Sequence, residues 1–377
     1  MKLLVVSHPC VTPINQEFFA EVERQSGWDL TLVLPSSWDG EYGTRQAERW
    51  PAFNGHMVPI PVWFSGNIPL HIYRTLFISL LRRVQPDVIY VHHEPYAAAT
   101  AQIYVANRLS VQSPIGFFTW QNLKKRYPPP FRQLERMVYR QSHFALSGSE
   151  SAREVLRQKG YRGPAPIVPA GIDPDHYTTS PRDSPAPDGL KAIIGDGPVI
   201  GFVGRMTEEK GLGTLVRALS RVDVPSWKMV FIGTGPYEKT LREEARQVGI
   251  TDQIHFLGYV PHTDIPDYLA RLDLVVLPSE TQSNWKEQFG RILIESMACG
   301  TPVLGSDSGE IPYLIQRTGG GRTFPEGDAT ACAQQLTRLL RDDDLRATLA
   351  RKGRDSVYNR YTHTALARAF IDTIESL

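Results

Sequence analysis

The stretch from Lys286 to Gly305, KEQFGRILIESMACGTPVLG, constrains the fold more than any other in the chain. It puts Glu287 in a short loop and Phe289-Gly290 at a bend. The apolar run Ile292 to Ala298 then reads as a helix carrying a second carboxylate, Glu295, and Gly300 and Pro302 stop that helix and start a strand. The same strand–helix alternation recurs through the second half of the chain, which argues for a parallel sheet. Glu287 and Glu295 lie eight positions apart, which along a continuous helix is about two turns, roughly 12 Å of rise. If Glu287 instead precedes the helix, both carboxylates can lean toward one ligand at the helix N-terminus. Free N–H groups and partial positive charge there suit a phosphate. The carboxylates would then hold sugar hydroxyls or a ribose. Spacing alone fits a plain surface helix equally well.

A second stretch, Gly201 to Gly211 (GFVGRMTEEKG), favours the ligand reading. A strand, Val199 to Val203, meets Gly204, then a turn with Arg205 and Lys210, then a helix from about Gly213. Gly204 permits close backbone approach, Arg205 offers a planar fork for phosphate oxygens, and Lys210 adds a point charge.

These two stretches together resemble glycosyltransferase family 4, retaining enzymes of the GT-B fold. The family's glycine-Arg…Lys-Gly turn reads GRMTEEKG, and its Glu–seven residues–Glu motif reads EQFGRILIE, followed by MACGTPV. VPAGID (168–173) resembles the segment closing the N-terminal half. FIGTGPYEKTLRE (231–243) resembles the strand–Gly-x-Gly-Pro–helix unit, and the run 254–279 resembles the base-binding region. The resemblance implies two Rossmann-like α/β domains with parallel sheets facing across a deep cleft, and a C-terminal helix crossing back to the first. The expected divisions are 1–173 for the acceptor-binding domain, 174–197 for a linker, 198–360 for the nucleotide-sugar-binding domain and 361–377 for the returning helix. It further implies metal-independent transfer of a sugar, with retention, from a nucleotide diphosphosugar (UDP first, GDP next) to a hydroxyl acceptor in polysaccharide, glycolipid or small-molecule glycoside synthesis. No cofactor is expected beyond the nucleotide sugar as co-substrate.

The resemblance assigns donor contacts to Gly204, Arg205, Lys210, Gly233, Phe256, Gly258, Val260, Glu287, Gln288, Phe289, Gly290 and Glu295. Catalytic roles fall to Arg205, Lys210 and Glu287, with His92 or His93 beside the reacting carbon. The acceptor side is read as His8, Asn15, Tyr96, Gln121 and Asn122. Four departures stand out. Val11 to Gln16 replaces a Gly-Gly pair, and Gln121-Asn122 replaces a His-Asp pair. Glu287 comes late after Pro278-Ser279, leaving Ser283-Asn284-Trp285 as a longer lip, and Tyr313 stands where a glutamate is usual.

The rest of the chain sets bounds. Its 377 residues suggest two domains, and 41% apolar with 21% charged residues is a globular composition. Net charge is +1, so no global field argues for nucleic acid. Cys10, Cys299 and Cys332 show neither metal spacing nor an even disulfide framework, and they fit a reducing, cytoplasmic compartment. MKLLVVSHP reads as a strand rather than a signal peptide, and no run approaches the ~20 apolar residues of a spanning helix. Leu3–Val6, Leu30–Leu34, Val88–Val91, Pro114–Phe118 and Phe144–Ser147 read as strands. Helices are expected over 15–25, 69–84, 131–140 and 149–159, with 35–56 irregular. Trp38 and Trp50 in that irregular segment either pack a long loop or shape an acceptor pocket.

Lys124, Lys125, Arg126, Arg132, Arg136 and Arg140 make 124–140 the most basic region of the first half. It reads as a solvated helix face or as a peripheral contact with an anionic membrane. Asp173-Pro174-Asp175 looks like a metal signature but sits at a domain end, and adjacent His92 and His93 lack a third ligand, so no metal is expected. Glu238 occupies the third glycine position of a dinucleotide fingerprint, which disfavours NAD. A nucleotide-sugar-binding protein without turnover and a sugar phosphorylase of the same fold are the alternatives.

Overall fold

The computed structural model describes residues 1–40, 43–178, 186–195 and 197–377. The chain divides into two compact units, Met1–Gly171 with His363–Leu377, and Ile172–Thr362. Of the segment 174–197 expected as a linker, the described residues belong to the second unit.

In the first unit the strands are β1 (Lys2–Val6), β2 (Asp29–Pro35), β3 (Ser37–Gly40), β4 (Gly43–Gln46), β5 (His56–Ile60), β6 (Val62–Trp63), β7 (Ile72–Tyr73), β8 (Val88–Val91), β9 (Ile115–Thr119) and β10 (Phe144–Ser147). Six of them form a sheet in the order β10-β9-β8-β1-β2-β5, every pair parallel. The helices are α1 (Glu17–Ser26), α2 (Phe77–Val84), α3 (Ala98–Arg108), α4 (Phe131–Gln141) and α5 (Glu150–Gln158). Ser149 caps α5, its hydroxyl accepting from the Ala152 N–H at 3.1 Å. The alternation of β1 decides its two cores. Leu3 and Val5 face one cluster with Phe19, Val22 and Phe370, while Leu4 and Val6 face the other with Phe77, Leu81 and Ile103.

Two local expectations fail. Residues 69–76 are not helical, because Ile72-Tyr73 pairs antiparallel with Val62-Trp63 and the Gln102 side chain bonds both backbone groups of Tyr73. The segment 35–56 is not wholly irregular, because β3 and β4 form a hairpin pairing Trp38 with Arg45.

The second unit holds β11 (Val199–Val203), β12 (Lys228–Ile232), β13 (Ile254–Gly258), β14 (Leu274–Leu277), β15 (Val303–Ser306) and β16 (Gly321–Phe324). Their order is β13-β12-β11-β14-β15-β16, again all parallel. Its helices are α6 (Asp188–Lys191), α7 (Leu212–Leu219), α8 (Glu238–Gln247), α9 (Ile265–Leu269), α10 (Arg291–Ala298), α11 (Ile311–Thr318), α12 (Ala329–Arg341) and α13 (Asp343–Arg360). With the six strands of each sheet numbered in chain order, both sheets run 3-2-1-4-5-6, the doubly wound order whose switch point lies between strands 1 and 4. No described helix is long and apolar enough to cross a membrane.

The last helix, α14 (His363–Glu375), packs on α1 and completes the first unit. Leu366, Ala367, Phe370, Ile371 and Ile374 join the core cluster of β1 and α1. Phe370→Ala is therefore expected to cost about 3–5 kcal/mol, the range for a buried aromatic. Urea unfolding checks this, and a loss below about 1 kcal/mol would mean that the helix does not serve that core.

Candidate functional site

The carboxyl ends of β11 and β14 are neighbours at the second unit's switch point, where ligands of doubly wound sheets bind. The turn after β11 is pinned to β12: the Gly204 N–H donates to the Ile232 carbonyl and the Met206 N–H to the Thr234 carbonyl, both at 2.9 Å. Gly233, at φ +126°, passes so close that an added methyl group would lie 2.1 Å from the Gly204 carbonyl oxygen. Its N–H donates to the Gly258 carbonyl at 2.7 Å, so three strand ends are laced edge to edge. Arg205 stands exposed on the first of these turns.

The loops after β11 and β14 touch directly. Lys210 Nζ lies 2.7 Å from Glu287 Oε2, with the side chains 19% and 10% exposed. The Ser279 hydroxyl donates to the same carboxylate oxygen at 2.8 Å, and the Glu310 N–H donates to the Glu287 carbonyl at 3.2 Å. The Glu280 N–H donates to the Glu209 carbonyl at 2.9 Å, and the Thr214 hydroxyl to Glu280 Oε1 at 2.6 Å. Gly211, at φ +64°, has no room for a side chain, since a methyl group there would lie 2.0 Å from the Pro278 carbonyl oxygen. Trp285, from the expected lip, lays its ring 5.0 Å from the Lys210 ammonium.

Glu287 precedes the helix, as the ligand reading requires, because α10 begins at Arg291. Gly290 caps it in the left-handed conformation at φ +75°, a geometry glycine adopts without strain. Its first N–H groups form the positive end of an eight-residue dipole. Gln288 is exposed and Phe289 is buried, its ring 6.3 Å from that of Tyr361.

Glu295 looks to different partners. It is 5% exposed, with Oε1 2.8 Å from Arg291 Nε and 3.4 Å from His262 Nε2. Tyr177 Oη lies 2.9 Å from that histidine nitrogen. Burial by itself would raise the Glu295 carboxyl. The hydrogen bond from His262 and the Arg291 charge outweigh burial and hold it below the ordinary carboxylate value. Sequence reasoning missed Tyr177, His262 and Arg291. Only the i, i+4 spacing of Arg291 and Glu295 carried a signal.

In the base-binding stretch the Phe256 ring is occupied on both faces. It stacks on Phe231 at 5.0 Å and receives the Arg242 guanidinium at 4.0 Å. That leaves its backbone, Gly258 and half-buried Val260 for a ligand, beside Tyr259, which is 76% exposed.

In the first unit His8 and Asn15 follow β1, and His92, His93 and Tyr96 follow β8, at the matching switch point, whereas Gln121 and Asn122 follow β9. His92 and His93 part company. His92 packs on Phe118 (ring centroids 4.7 Å apart) with Nδ1 3.1 Å from Ser7 Oγ, while His93 packs against His8 and His71 at 4.9 and 5.0 Å. Asn15 is exposed and donates to the Pro9 carbonyl at 2.7 Å. Tyr96 lies against Tyr127 at 4.3 Å. Gln121 is buried and turned inward, accepting from Lys159 Nζ at 2.6 Å and donating to Tyr127 Oη. Asn122 is buried beside it. Lys124, Lys125, Arg126, Arg132, Arg136 and Arg140 are all exposed, whereas Glu135 of the same helix is buried against Lys159.

Residues 191–356 match the family model described as Glycosyl transferases group 1, and residues 19–176 match Glycosyltransferase Family 4. N-acetyl-alpha-D-glucosaminyl L-malate synthase of Bacillus anthracis is 36% identical over 134 residues, 36% of this chain and 33% of that protein. Phosphatidyl-myo-inositol mannosyltransferase of Mycobacterium leprae is 26% identical over 367 residues, 95% of this chain and 91% of that protein. Matches to several other curated relatives span about half of their length. Among solved structures, that of Anabaena HepE in complex with UDP aligns over the whole of both chains with a TM-score of 0.76 at 18% identity. That likeness shows the fold.

The first unit's histidines tie its stability to pH. Burial pushes His92 down to about 4, and His8, His71 and His93 also fall below the ordinary 6.5. Between pH 6.5 and 4 the unfolded chain thus binds protons that the folded chain refuses, and stability falls as pH falls through that window. Glu94, pushed up to about 7 by burial, acts oppositely between 7 and 4.5, one group against four. The Tm is expected to drop from pH 6.5 to 4, and His92→Gln to remove part of the drop. A flat profile would contradict the burial of these rings.

Proposed function

The chain belongs to glycosyltransferase family 4, and from that premise we propose that it moves a sugar from a nucleotide diphosphosugar to a hydroxyl acceptor with retention at the anomeric carbon. The observation that carries this reading is the Lys210–Glu287 contact. It joins Lys210 of the loop after β11 to Glu287 of the loop after β14 at a switch point, just ahead of the N-terminus of α10.

Charge develops on the diphosphate as the glycosidic bond breaks. Arg205, Lys210 and the first N–H groups of α10 are the groups assigned to stabilise it. A bound diphosphate would take over the Lys210 ammonium and release the Glu287 carboxylate for sugar hydroxyls. Glu295, ionised and fixed by Arg291 and His262, serves the ribose either directly or by holding those two side chains. The nucleobase is assigned to the backbone of 256–260, with UDP the first base to test and GDP the second. A role for His92 or His93 at the reacting carbon, and proton uptake from the acceptor by the departing phosphate, rest on the resemblance.

The reading assigns the diphosphate charge to these protein cations and not to a metal ion, so transfer should persist in EDTA. The exposed cations of 124–140 are proposed to rest on an anionic bilayer surface, each contributing on the order of 1 kcal/mol. The acceptor is proposed to belong to polysaccharide, glycolipid or small-molecule glycoside synthesis.

Arg205→Ala and Lys210→Ala are each expected to cut turnover at least about a hundredfold, the scale for losing one preorganised charge contact, with circular dichroism unchanged. Near-normal turnover in both would remove the proposal. Tight binding of a nucleotide sugar by the unaltered chain, with neither transfer nor donor hydrolysis, would leave a binding protein of the same fold.

A further inference from the structure

The loop after β14 carries a lip, 281–286, that is fastened at both feet. At the first foot the Thr281 N–H donates to Glu326 Oε2 at 2.7 Å, and Thr281 Oγ1 lies 3.0 Å from the Ser308 hydroxyl. At the second, Glu287 accepts from Lys210 and from Ser279. Between them the lip closes on a turn of four residues. The Gln282 N–H donates to the Trp285 carbonyl at 2.7 Å, and the Trp285 N–H donates back to the Gln282 carbonyl at 3.4 Å. Ser283 and Asn284 form the exposed tip, while Trp285 is half-buried. None of the donor assignments uses this tryptophan.

Trp285 stands two positions before Glu287, and its ring centroid lies 5.0 Å from the ammonium that is 2.7 Å from Glu287 Oε2. An indole and a carboxylate thus flank one cation. The simplest use of that contact is to hold Lys210 in place, since the π face of an indole attracts a cation. Two further features point beyond it. Trp285 is only half-buried, so part of its apolar surface stays open beside Lys210 and Glu287. Of the aromatic residues among the donor assignments, Phe289 is buried and Phe256 is covered on both faces, so neither offers a ring to a ligand.

A pyranose is apolar on its C–H face and hydroxylated at its edge. A carboxylate suits the hydroxyls and an aromatic ring suits the C–H face, so the two together are carbohydrate-binding chemistry. Connectivity sets the order of the parts. The sugar of a nucleotide diphosphosugar is bonded to the terminal phosphate, so a sugar whose phosphate is held at Lys210 and whose hydroxyls reach Glu287 runs beside Trp285. We propose that Trp285 is a specificity-determining residue, the aromatic wall of the donor-sugar subsite, with the C–H face of the transferred pyranose laid against the open part of its indole. This rests on the transferase reading above and adds to it a contact made by the sugar alone. The closed turn sets the indole in place before a ligand arrives, so little ordering cost is left to binding.

The test is isothermal titration of the full chain with UDP, UDP-glucose, UDP-galactose and UDP-N-acetylglucosamine, and with GDP and GDP-mannose. The readout is the ratio of the affinities with and without the sugar. Trp285→Ala should weaken the nucleotide sugar that the unaltered chain binds most tightly by about tenfold, while the matching nucleotide diphosphate stays within about twofold. Trp285→Phe keeps a ring and should lose less. Retained binding of the bare diphosphate serves as the check that the variant is folded. Equal losses with and without the sugar would mean that the indole acts only through Lys210, and that result overturns the proposal. Unchanged affinities for all six ligands in Trp285→Ala would overturn it as well. If UDP or GDP binds and the ratio does not respond to Trp285, this inference alone fails, whereas failure of both diphosphates and of every nucleotide sugar to bind the unaltered chain removes the transferase reading beneath it.

Discussion

The ion pair between Lys210 and Glu287 is the contact that ties the two switch-point loops of the second unit together. The two residues come from loops 77 positions apart, and nothing local brings them together. They meet because β11 and β14 lie side by side although two strands and their helices intervene in sequence. At that junction the chain turns to opposite sides of the sheet, which leaves room for a ligand between the loops. Gly211, pressed against the Pro278 carbonyl, and Glu280, bonded to Glu209 and Thr214, fix the two loops to each other.

Charge in this unit is arranged in opposed pairs. Lys210 faces Glu287, and Arg291 faces Glu295. A lone buried carboxylate would cost several kcal/mol, and pairing reduces that cost while no ligand is present. The pairs are not equivalent. Glu287 sits in a loop, held by a flexible lysine and a serine hydroxyl, whereas Glu295 is on a helix, held by a planar guanidinium and a histidine that touches a tyrosine. The first unit uses a different device, since its buried histidines are neutral and oriented by backbone groups.

Much of this was legible in the sequence because short apolar strands and glycine turns have few alternatives. The motif GRMTEEKG carries its own geometry, and EQFGRILIE placed Glu287 ahead of the helix and Glu295 within it. What stayed hidden involves residues brought together from distant parts of the chain. Tyr177 was in a presumed linker and His262 in a stretch read for its backbone, and neither position signals Glu295. Gln121 stands where the family pattern suggests a ligand contact, yet Lys159 claims it. The helix expected over 69–84 loses its first half to a two-residue antiparallel pair, which an amphipathic pattern cannot reveal.

The sequence by itself determined the alternation of strands and helices, the two-unit organisation, and the side chains available at each strand end. Period-two and helical spacings, glycines and caps are local properties, and they suffice for that much. Only the tertiary structure decided that His92 and His93 turn to different neighbours, that Trp38 lines a cavity, and that His71 joins His8 and His93. Those outcomes depend on strand order and on which face of a sheet each residue meets. They follow from the packing of elements far apart in the chain, which no window of sequence contains.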